Sequence, residues 1–211
     1  MHPFSTDSKE RFWIPFAIII ISIFLALASK FLWEQSGLNE ILGSYYLIIS
    51  IFVDFSVLLY YELIHFLFNH SLWKFSWMPF VKIPDMNGIW KGTLYSSFTE
   101  DGSKEKTKVD ATMEITQTWQ DIVIRLKTDS SISETVTAAF FTKNQNAIKL
   151  TYQFESKPKP HSGYELHDHK GTGWITLSHD KKTFEGDYYN GRDRGNFGSL
   201  KFTKTSKWPK T

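Results

Sequence analysis

Two long apolar runs near the N-terminus constrain the fold of this chain more than any other feature. The eighteen residues at 12–29 carry no charge, and apolar residues continue to position 33. A second run covers residues 41–68. About 20 apolar residues cross the hydrocarbon core of a bilayer as a helix. The sequence therefore predicts transmembrane helices over residues 12–33 and 41–68, and the short connection between them predicts a helical hairpin.

The first run has a second interpretation, a cleaved signal peptide. Ala26-Leu27-Ala28 has the small residues of a cleavage site, and Lys9 and Arg11 precede the run. The apolar stretch is longer than the hydrophobic segment of a typical signal peptide, which favours a retained helix.

The basic residues near the hairpin are concentrated at the end where the chain enters and leaves it, and only Lys30 lies at the other end. The positive-inside rule then predicts a cytoplasmic tail at residues 1–11 and a cytoplasmic C-terminal domain.

Asp54 lies within the second predicted span. A carboxylate near the centre of a bilayer costs about 2.5–3.5 kcal/mol on insertion scales, so such residues commonly have a function. One interpretation gives Asp54 a role in self-association or in a water-filled path through the membrane. The other is a protonated side chain that bonds to a neighbouring helix. We expect a membrane or assembly role for Asp54.

The second half of the chain holds most of the charged residues and has a different apolar period. After a linker at residues 69–85, apolar and polar residues alternate, as around Val109, Ala111 and Met113. A period of two predicts strands with one buried face. Eight strands are predicted, at residues 88–98, 107–118, 121–128, 131–142, 146–155, 169–178, 183–192 and 195–204. The predicted fold class is a membrane-anchored all-β protein whose residues 86–205 form an up-and-down, lipocalin-like minimal barrel.

The apolar phase of each strand, extended to both strand ends, distinguishes two ends of the barrel interior. Trp90, Leu177, Phe184 and Phe202 are predicted at an apolar end. Interior glycines remove side-chain volume, so a cavity is expected toward the polar end. An arginine suits an anion, tyrosine rings stack on flat groups, and amides bond to base edges. The candidate ligand-binding residues at the polar end are Ser96, Tyr152, His169, Tyr188, Asn190 and Arg192.

Two features of the polar end have alternative interpretations. Polar residues at strand ends are also consistent with ordinary solvation rather than ligand binding. The connection at residues 155–168 carries Lys157, Lys159 and His161. It is interpreted as a basic lid, and the alternative is a loop without a function.

Several classes of function lack support in the sequence. There is no cysteine, which excludes disulfides and thiolate metal sites. His167 and His169 would share one face of a strand, but no carboxylate cluster accompanies them, so no metal is predicted. Catalytic motifs such as a nucleophile elbow or a P-loop do not occur, so neither an enzyme nor a cofactor is predicted. A net charge of +2 is too near neutral for an extended DNA or RNA surface.

Four short motifs follow the two apolar runs in a fixed order. They are Gly88-Ile89-Trp90-Lys91-Gly92, His169-Lys170-Gly171-Thr172, the segment from Gly186 to Arg192, and Gly195-Asn196-Phe197-Gly198. This arrangement is similar to the transmembrane β-barrel effectors of bacterial CBASS antiphage systems, which are associated with CD-NTase nucleotide cyclases. The similarity covers nearly the whole chain.

The resemblance implies a cytoplasmic barrel that binds a cyclic dinucleotide made during phage infection. It also implies a two-pass protein of the bacterial inner membrane with both termini in the cytoplasm. On activation such a protein forms a homo-oligomer and disrupts the lipid bilayer, which stops growth or kills the cell. The residues themselves leave two other functions open. One is a membrane-tethered, lipocalin-like binder of a small apolar ligand, and the other is a structural membrane adaptor with a filled barrel.

Overall fold

The computed structural model describes residues 1–37, 43, 45, 51, 55–75, 78, 80–97, 106–160, 167–192 and 195–206. Asp54, His161 and much of the second predicted transmembrane segment lie outside these ranges. The chain divides into two compact units. One unit is Lys9–Phe80, and the other combines Met1–Ser8 with Val81–Thr211.

In the first unit, α1 (Glu10–Gln35) is the one described helix that is long and apolar enough to cross a membrane. Its 26 residues extend about 39 Å at 1.5 Å per residue. Large apolar side chains such as Phe12, Phe24 and Leu32 are exposed on its surface. The predicted helix at residues 12–33 is therefore confirmed, and it extends two residues further at each end.

The second predicted span is described only in part. Helix α2 covers Ser56–His70 and is followed by a short 3₁₀ helix at Leu72–Lys74. The 15 residues of α2 are fewer than a bilayer span needs, so the two-helix transmembrane hairpin stays a prediction. The two helices contact each other, and the hydroxyls of Ser29 and Tyr60 share a hydrogen bond.

The second unit is a closed barrel with two additional short strands, β1 (His2–Pro3) and β2 (Ser5–Thr6). Each barrel strand is antiparallel to the next one in sequence, and the last strand pairs with the first, which closes the ring. This confirms the predicted eight-stranded antiparallel barrel. The barrel strands are β3 (Gly88–Ser96), β4 (Thr107–Gln117), β5 (Asp121–Lys127), β6 (Ser131–Phe141), β7 (Lys149–Pro158), β8 (His169–Leu177), β9 (Thr183–Asn190) and β10 (Phe197–Ser206).

One end of the barrel interior is filled by aromatic side chains. The ring of Phe184 lies 4.8 Å from that of Trp90 and 5.3 Å from that of Phe202, measured between centroids. All three side chains are fully buried, and the Trp90 indole N–H donates to the carbonyl oxygen of Met86 at 2.9 Å. The predicted apolar end is confirmed, so any cavity lies toward the other end.

The N-terminal segment closes a gap in the barrel wall. Strands β5 and β6 pair with each other only through residues 125–127 and 132–134. Beyond that point β1 pairs with β5, at His2 opposite Ile122, and β2 pairs in parallel with β6, at Thr6 opposite Phe140. The backbone groups that β5 and β6 leave unpaired therefore find partners in residues that precede α1.

Side chains fix the same segment to the barrel. Phe4 is buried and meets the ring of Phe140 edge-on at a centroid distance of 5.1 Å. The Asp7 carboxylate accepts hydrogen bonds from the Thr142 N–H at 2.7 Å and from the Thr142 hydroxyl at 3.1 Å. His2 Nε2 lies 3.0 Å from the hydroxyl oxygen of Thr135. Residues 2–7 thus behave as part of the barrel unit.

Candidate ligand-binding site

A cavity of about 320 Å³ occupies the polar half of the barrel interior. Its volume is at the lower end of the range for small-molecule sites. Hydroxyl groups and aromatic rings dominate its described lining, which contains no Lys, Arg, Asp or Glu. The polar and aromatic lining side chains include Ser96, Thr128, Ser131, Ser133, Thr135, Tyr152, Phe154, Ser156, His169, Tyr188, Asn190 and Asn196.

Aromatic rings occupy the space above the interior glycines. A Cβ atom added at Gly173 would overlap the ring of Tyr152, and one added at Gly171 would overlap the ring of Phe154. The glycines were expected to leave empty volume, and instead they leave room for rings. Because the rings fill that space, the open volume lies beside them. The rings form one wall of the cavity.

Tyr152 combines a buried ring with a polar group at the cavity. Only 5% of the residue is exposed, and its ring centroid lies 6.2 Å from that of Phe154. Burial raises the pKa of the Tyr152 phenol well above its ordinary value of 10.0. The phenol is therefore neutral at physiological pH, so the side chain offers a hydrogen-bond donor as well as a flat surface for stacking.

A hydroxyl wall lies directly beside the rings, on β6 and the adjoining strands, where Thr135 pairs with Phe154. Ser133 of β6 lies opposite Leu126 of β5 on one side and opposite Ser156 of β7 on the other. Ser156 in turn lies opposite His169 of β8. Ser133, Ser156 and His169 therefore form one row across three neighbouring strands, which we call the Ser133 row.

The hydroxyl wall was not predicted from the sequence. Ser131, Ser133 and Thr135 alternate with a period of two, but the inward face continues at Ala138 and Phe140. The register shifts between Thr135 and Thr137 because a bulge interrupts the pairing with β7. The alternation of hydroxyl residues at positions 131, 133 and 135 could have predicted an inward hydroxyl face. The bulge that follows changes which residues of β6 face inward, so the alternation does not continue along the strand.

A hydrogen-bonded chain of amides lies at the mouth of the cavity. The Asn190 side-chain amide donates to the Asn196 side-chain oxygen, and Asn196 donates to the Ser96 hydroxyl at 3.4 Å. Asn190 is 5% exposed. These contacts connect the end of β9, the residue that precedes β10 and the end of β3, and they fix the polar groups that a ligand would meet on entry.

Five of the six predicted site residues come together in the cavity, namely Ser96, Tyr152, His169, Tyr188 and Asn190. Arg192 lies in the turn after β9, and its side chain is exposed and outside the cavity lining. Arg192 was predicted to face the barrel interior because the alternation of β9 was extended to it. That alternation does not continue into the turn after the strand, so the side chain lies outside the cavity. Ligand contacts of all six residues stay predictions.

The predicted lid is shorter than expected. Strand β7 continues to Pro158, and Lys157 is an exposed strand residue. Lys159 is tied to the barrel because its ammonium group donates to the carbonyl oxygen of Thr128 at 2.6 Å. Within the described ranges, no group of three His, Asp or Glu side chains is placed to hold a metal ion.

The barrel and its cavity coincide with a known receptor domain. Residues 81–204 match the family model described as Cap15, cyclic dinucleotide receptor domain. CD-NTase-associated protein 15 of Yersinia aleksiciae is 28% identical over 186 residues, which cover 87% of this chain and 84% of that protein. The matched family residues include the whole of the aromatic and hydroxyl walls. The chain belongs to the Cap15 cyclic dinucleotide receptor family of CBASS effectors.

Proposed function

We propose that this barrel binds a cyclic dinucleotide in its cavity and thereby activates an antiphage effector that disrupts the bacterial inner membrane. The observation that carries the proposal is a cavity lined by stacking rings and, beside them, by hydroxyl groups, in a chain whose barrel matches a cyclic dinucleotide receptor domain. Nucleobases stack on aromatic side chains, and hydroxyl side chains bond to sugar and phosphate oxygens. The rings thus suit the base of a nucleotide, and the hydroxyl groups beside them suit its sugar–phosphate part.

The position of the N-terminal segment supports two membrane crossings. Residues 1–8 belong to the barrel unit, so the N-terminus and the barrel lie on the same side of any membrane that α1 crosses. The chain must then return across the membrane before Val81. The apolar run at residues 41–68 has the length for that return. Together with the positive-inside bias, this supports a two-pass protein with a cytoplasmic barrel.

Ligand binding must be coupled to the membrane through a change in population. A ligand shifts an equilibrium only by its different affinities for the two states. We propose that ligand-bound barrels favour a homo-oligomer, and that assembly brings the membrane helices of several copies together. The predicted role of Asp54 in assembly or in a water-filled path belongs to this step.

A binding screen on the full chain in lipid nanodiscs tests the proposal. The melting temperature of the barrel should rise with one or more cyclic dinucleotides and stay unchanged with fatty acids. Stabilisation by fatty acids alone would instead support the lipocalin-like binder of an apolar ligand, for which Leu94, Val109 and Leu126 of the lining provide apolar contacts. No response to any small molecule would support the structural adaptor.

A further inference from the structure

Two serine hydroxyls of the Ser133 row face the cavity. Ser133 is 7% exposed and Ser156 is 2% exposed, and both side chains line the cavity. Neither hydroxyl makes a hydrogen bond to another group in the part of the chain that the structure describes. Buried polar groups in proteins are nearly always bonded, to protein, water or ligand. These two hydroxyls are therefore available to a bound molecule.

The register places the two hydroxyls at a useful spacing. Ser133 and Ser156 lie directly opposite each other on neighbouring strands. Side chains in such pairs are about 4.5–5.5 Å apart at Cβ. An oxygen atom between them can accept a hydrogen bond of about 2.7–2.8 Å from each hydroxyl. The pair is thus spaced to hold one acceptor oxygen, with the His169 ring next in the row.

The surroundings indicate which part of a nucleotide this oxygen belongs to. The rings of Tyr152, Phe154 and Tyr188 provide the stacking surface for a base, and Phe154 is the inward residue next to Ser156 on β7. A base stacked on these rings would bring its attached sugar–phosphate part to the row. No described carboxylate lines the cavity, so nothing in the described lining repels an anion. The nearest carboxylate along β7, Glu155, points outward and is paired with Lys170 at 3.0 Å.

We propose that Ser133 and Ser156 form a phosphodiester subsite that holds a non-bridging phosphate oxygen of the ligand through two neutral hydrogen bonds. This inference rests on the proposed function and assigns the ligand's orientation within the same cavity. Neutral donors carry no charge that salt can screen, so the affinity that the pair contributes should depend little on ionic strength. An arginine or lysine subsite would lose affinity steeply as salt rises.

Substitution to alanine tests the subsite with little change of volume. Ser133→Ala and Ser156→Ala in the full chain should each weaken binding of a cyclic dinucleotide by about tenfold, at both low and high NaCl. The same substitution at Ser199, which lies between inward Gly198 and Leu200 and so faces outward on β10, is the matched control. The unliganded variants should melt at or near the wild-type temperature, because each loses a hydroxyl that bonds to no described residue.

A ligand analogue identifies the phosphate as the bonded group. Replacing a non-bridging phosphate oxygen by sulfur should weaken binding to the wild type, and should have a much smaller effect on the Ser133→Ala, Ser156→Ala double variant. An equal loss from sulfur in both proteins, or full affinity of the alanine variants, would overturn the subsite. If the wild type itself bound no cyclic dinucleotide, the proposed function would fail instead, so the two failures are distinguishable.

Discussion

The ring of Tyr152 lies over Gly173, and contacts of this kind show how single residues shape the cavity. A Cβ at Gly173 would meet the end of the Tyr152 side chain, whereas a Cβ at Gly186 would meet the backbone carbonyl oxygen of Trp174. The end of a side chain can move, but the backbone of a paired strand cannot. The same substitution at these two glycines should therefore have different effects.

We expect Gly173→Ala to fold and to bind ligand poorly. The displaced Tyr152 ring would enter the cavity, and the loss of base stacking should weaken cyclic dinucleotide binding by about tenfold or more. Gly186→Ala, the matched variant, should instead lower the free energy of unfolding by about 3 kcal/mol. Thermal unfolding and titration calorimetry on both variants measure these effects. Wild-type affinity in Gly173→Ala would contradict the assignment of the aromatic wall.

Arg192 provides a second test at the residue scale. Its exposed side chain lies in the turn after β9. Pairing with a ligand phosphate at the mouth would make Arg192→Ala cost about 1.5–3 kcal/mol of binding at low salt. The cost should shrink at high salt because exposed charges are screened, and barrel stability should not change. Titrations at two salt concentrations decide this, and unchanged affinity at low salt would remove Arg192 from the site.

The residue pattern predicted most of the candidate site because strands keep their period of two. Tyr152, His169 and Tyr188 line the cavity as that period requires. Arg192 lies beyond the end of β9, where the period no longer applies. Ser133 was missed because the bulge in β6 changes which residues face inward, and a bulge depends on pairing with other strands.

At the scale of secondary-structure elements, the seam between β5 and β6 depends on the N-terminal segment. Burial alone would raise the pKa of the Asp7 carboxyl. Hydrogen bonds from Thr142 and from the Lys143 N–H, together with the Lys143 charge, outweigh burial and hold that pKa below its ordinary value of 3.8. Because the folded state favours the ionised carboxylate, Asp7 stabilises the barrel above pH 3.8. This contribution is lost as the pH falls through the lowered folded-state pKa.

Asp7→Asn should therefore lose stability in a pH-dependent way. At pH 7 we expect the variant to unfold about 1 kcal/mol more easily than the wild type, because the charge-assisted hydrogen bonds are weakened. The difference should disappear in acid below the folded-state pKa of Asp7. Denaturant unfolding across pH measures it, with Asp187→Asn on β9 as the control. A difference that does not change with pH would show that the carboxylate charge plays no part in the seam.

The sequence predicted those helices and strands whose own residues repeat an apolar pattern several times. Helix α1 and all eight barrel strands follow directly from apolar spacing. Strands β1 and β2 have two residues each and no periodicity of their own. They form because β5 and β6 separate and leave backbone groups to be paired, which is a tertiary effect that no local pattern indicates.

At the scale of the whole molecule, we expect ligand binding in the barrel to change the state of the membrane helices. The sequence predicted the order of membrane and barrel segments because composition changes sharply between them. The sequence did not predict that residues 1–8 join the barrel unit, since these residues have no periodicity and lie far from the barrel strands in sequence. That placement supports an even number of crossings.

Asp54→Leu separates ligand binding from membrane disruption. We expect the variant to bind a cyclic dinucleotide like the wild type but to lose membrane leakage and toxicity. In an oligomer, the Asp54 carboxylates of several subunits would lie close together in the bilayer, where they must protonate, pair or draw in water. Dye release from liposomes with and without ligand measures the effect, with Glu62→Gln as the matched change in the same apolar run. Full leakage from Asp54→Leu would leave helix crowding alone as the cause.

The most direct test of the central claim is a structure of the full chain determined with a bound cyclic dinucleotide. We expect the ligand inside the barrel, with a base against the rings of Tyr152 and Tyr188 and a phosphate oxygen between Ser133 and Ser156. Ligand bound on the outer surface of the barrel, or a cavity still empty at saturating ligand, would contradict it.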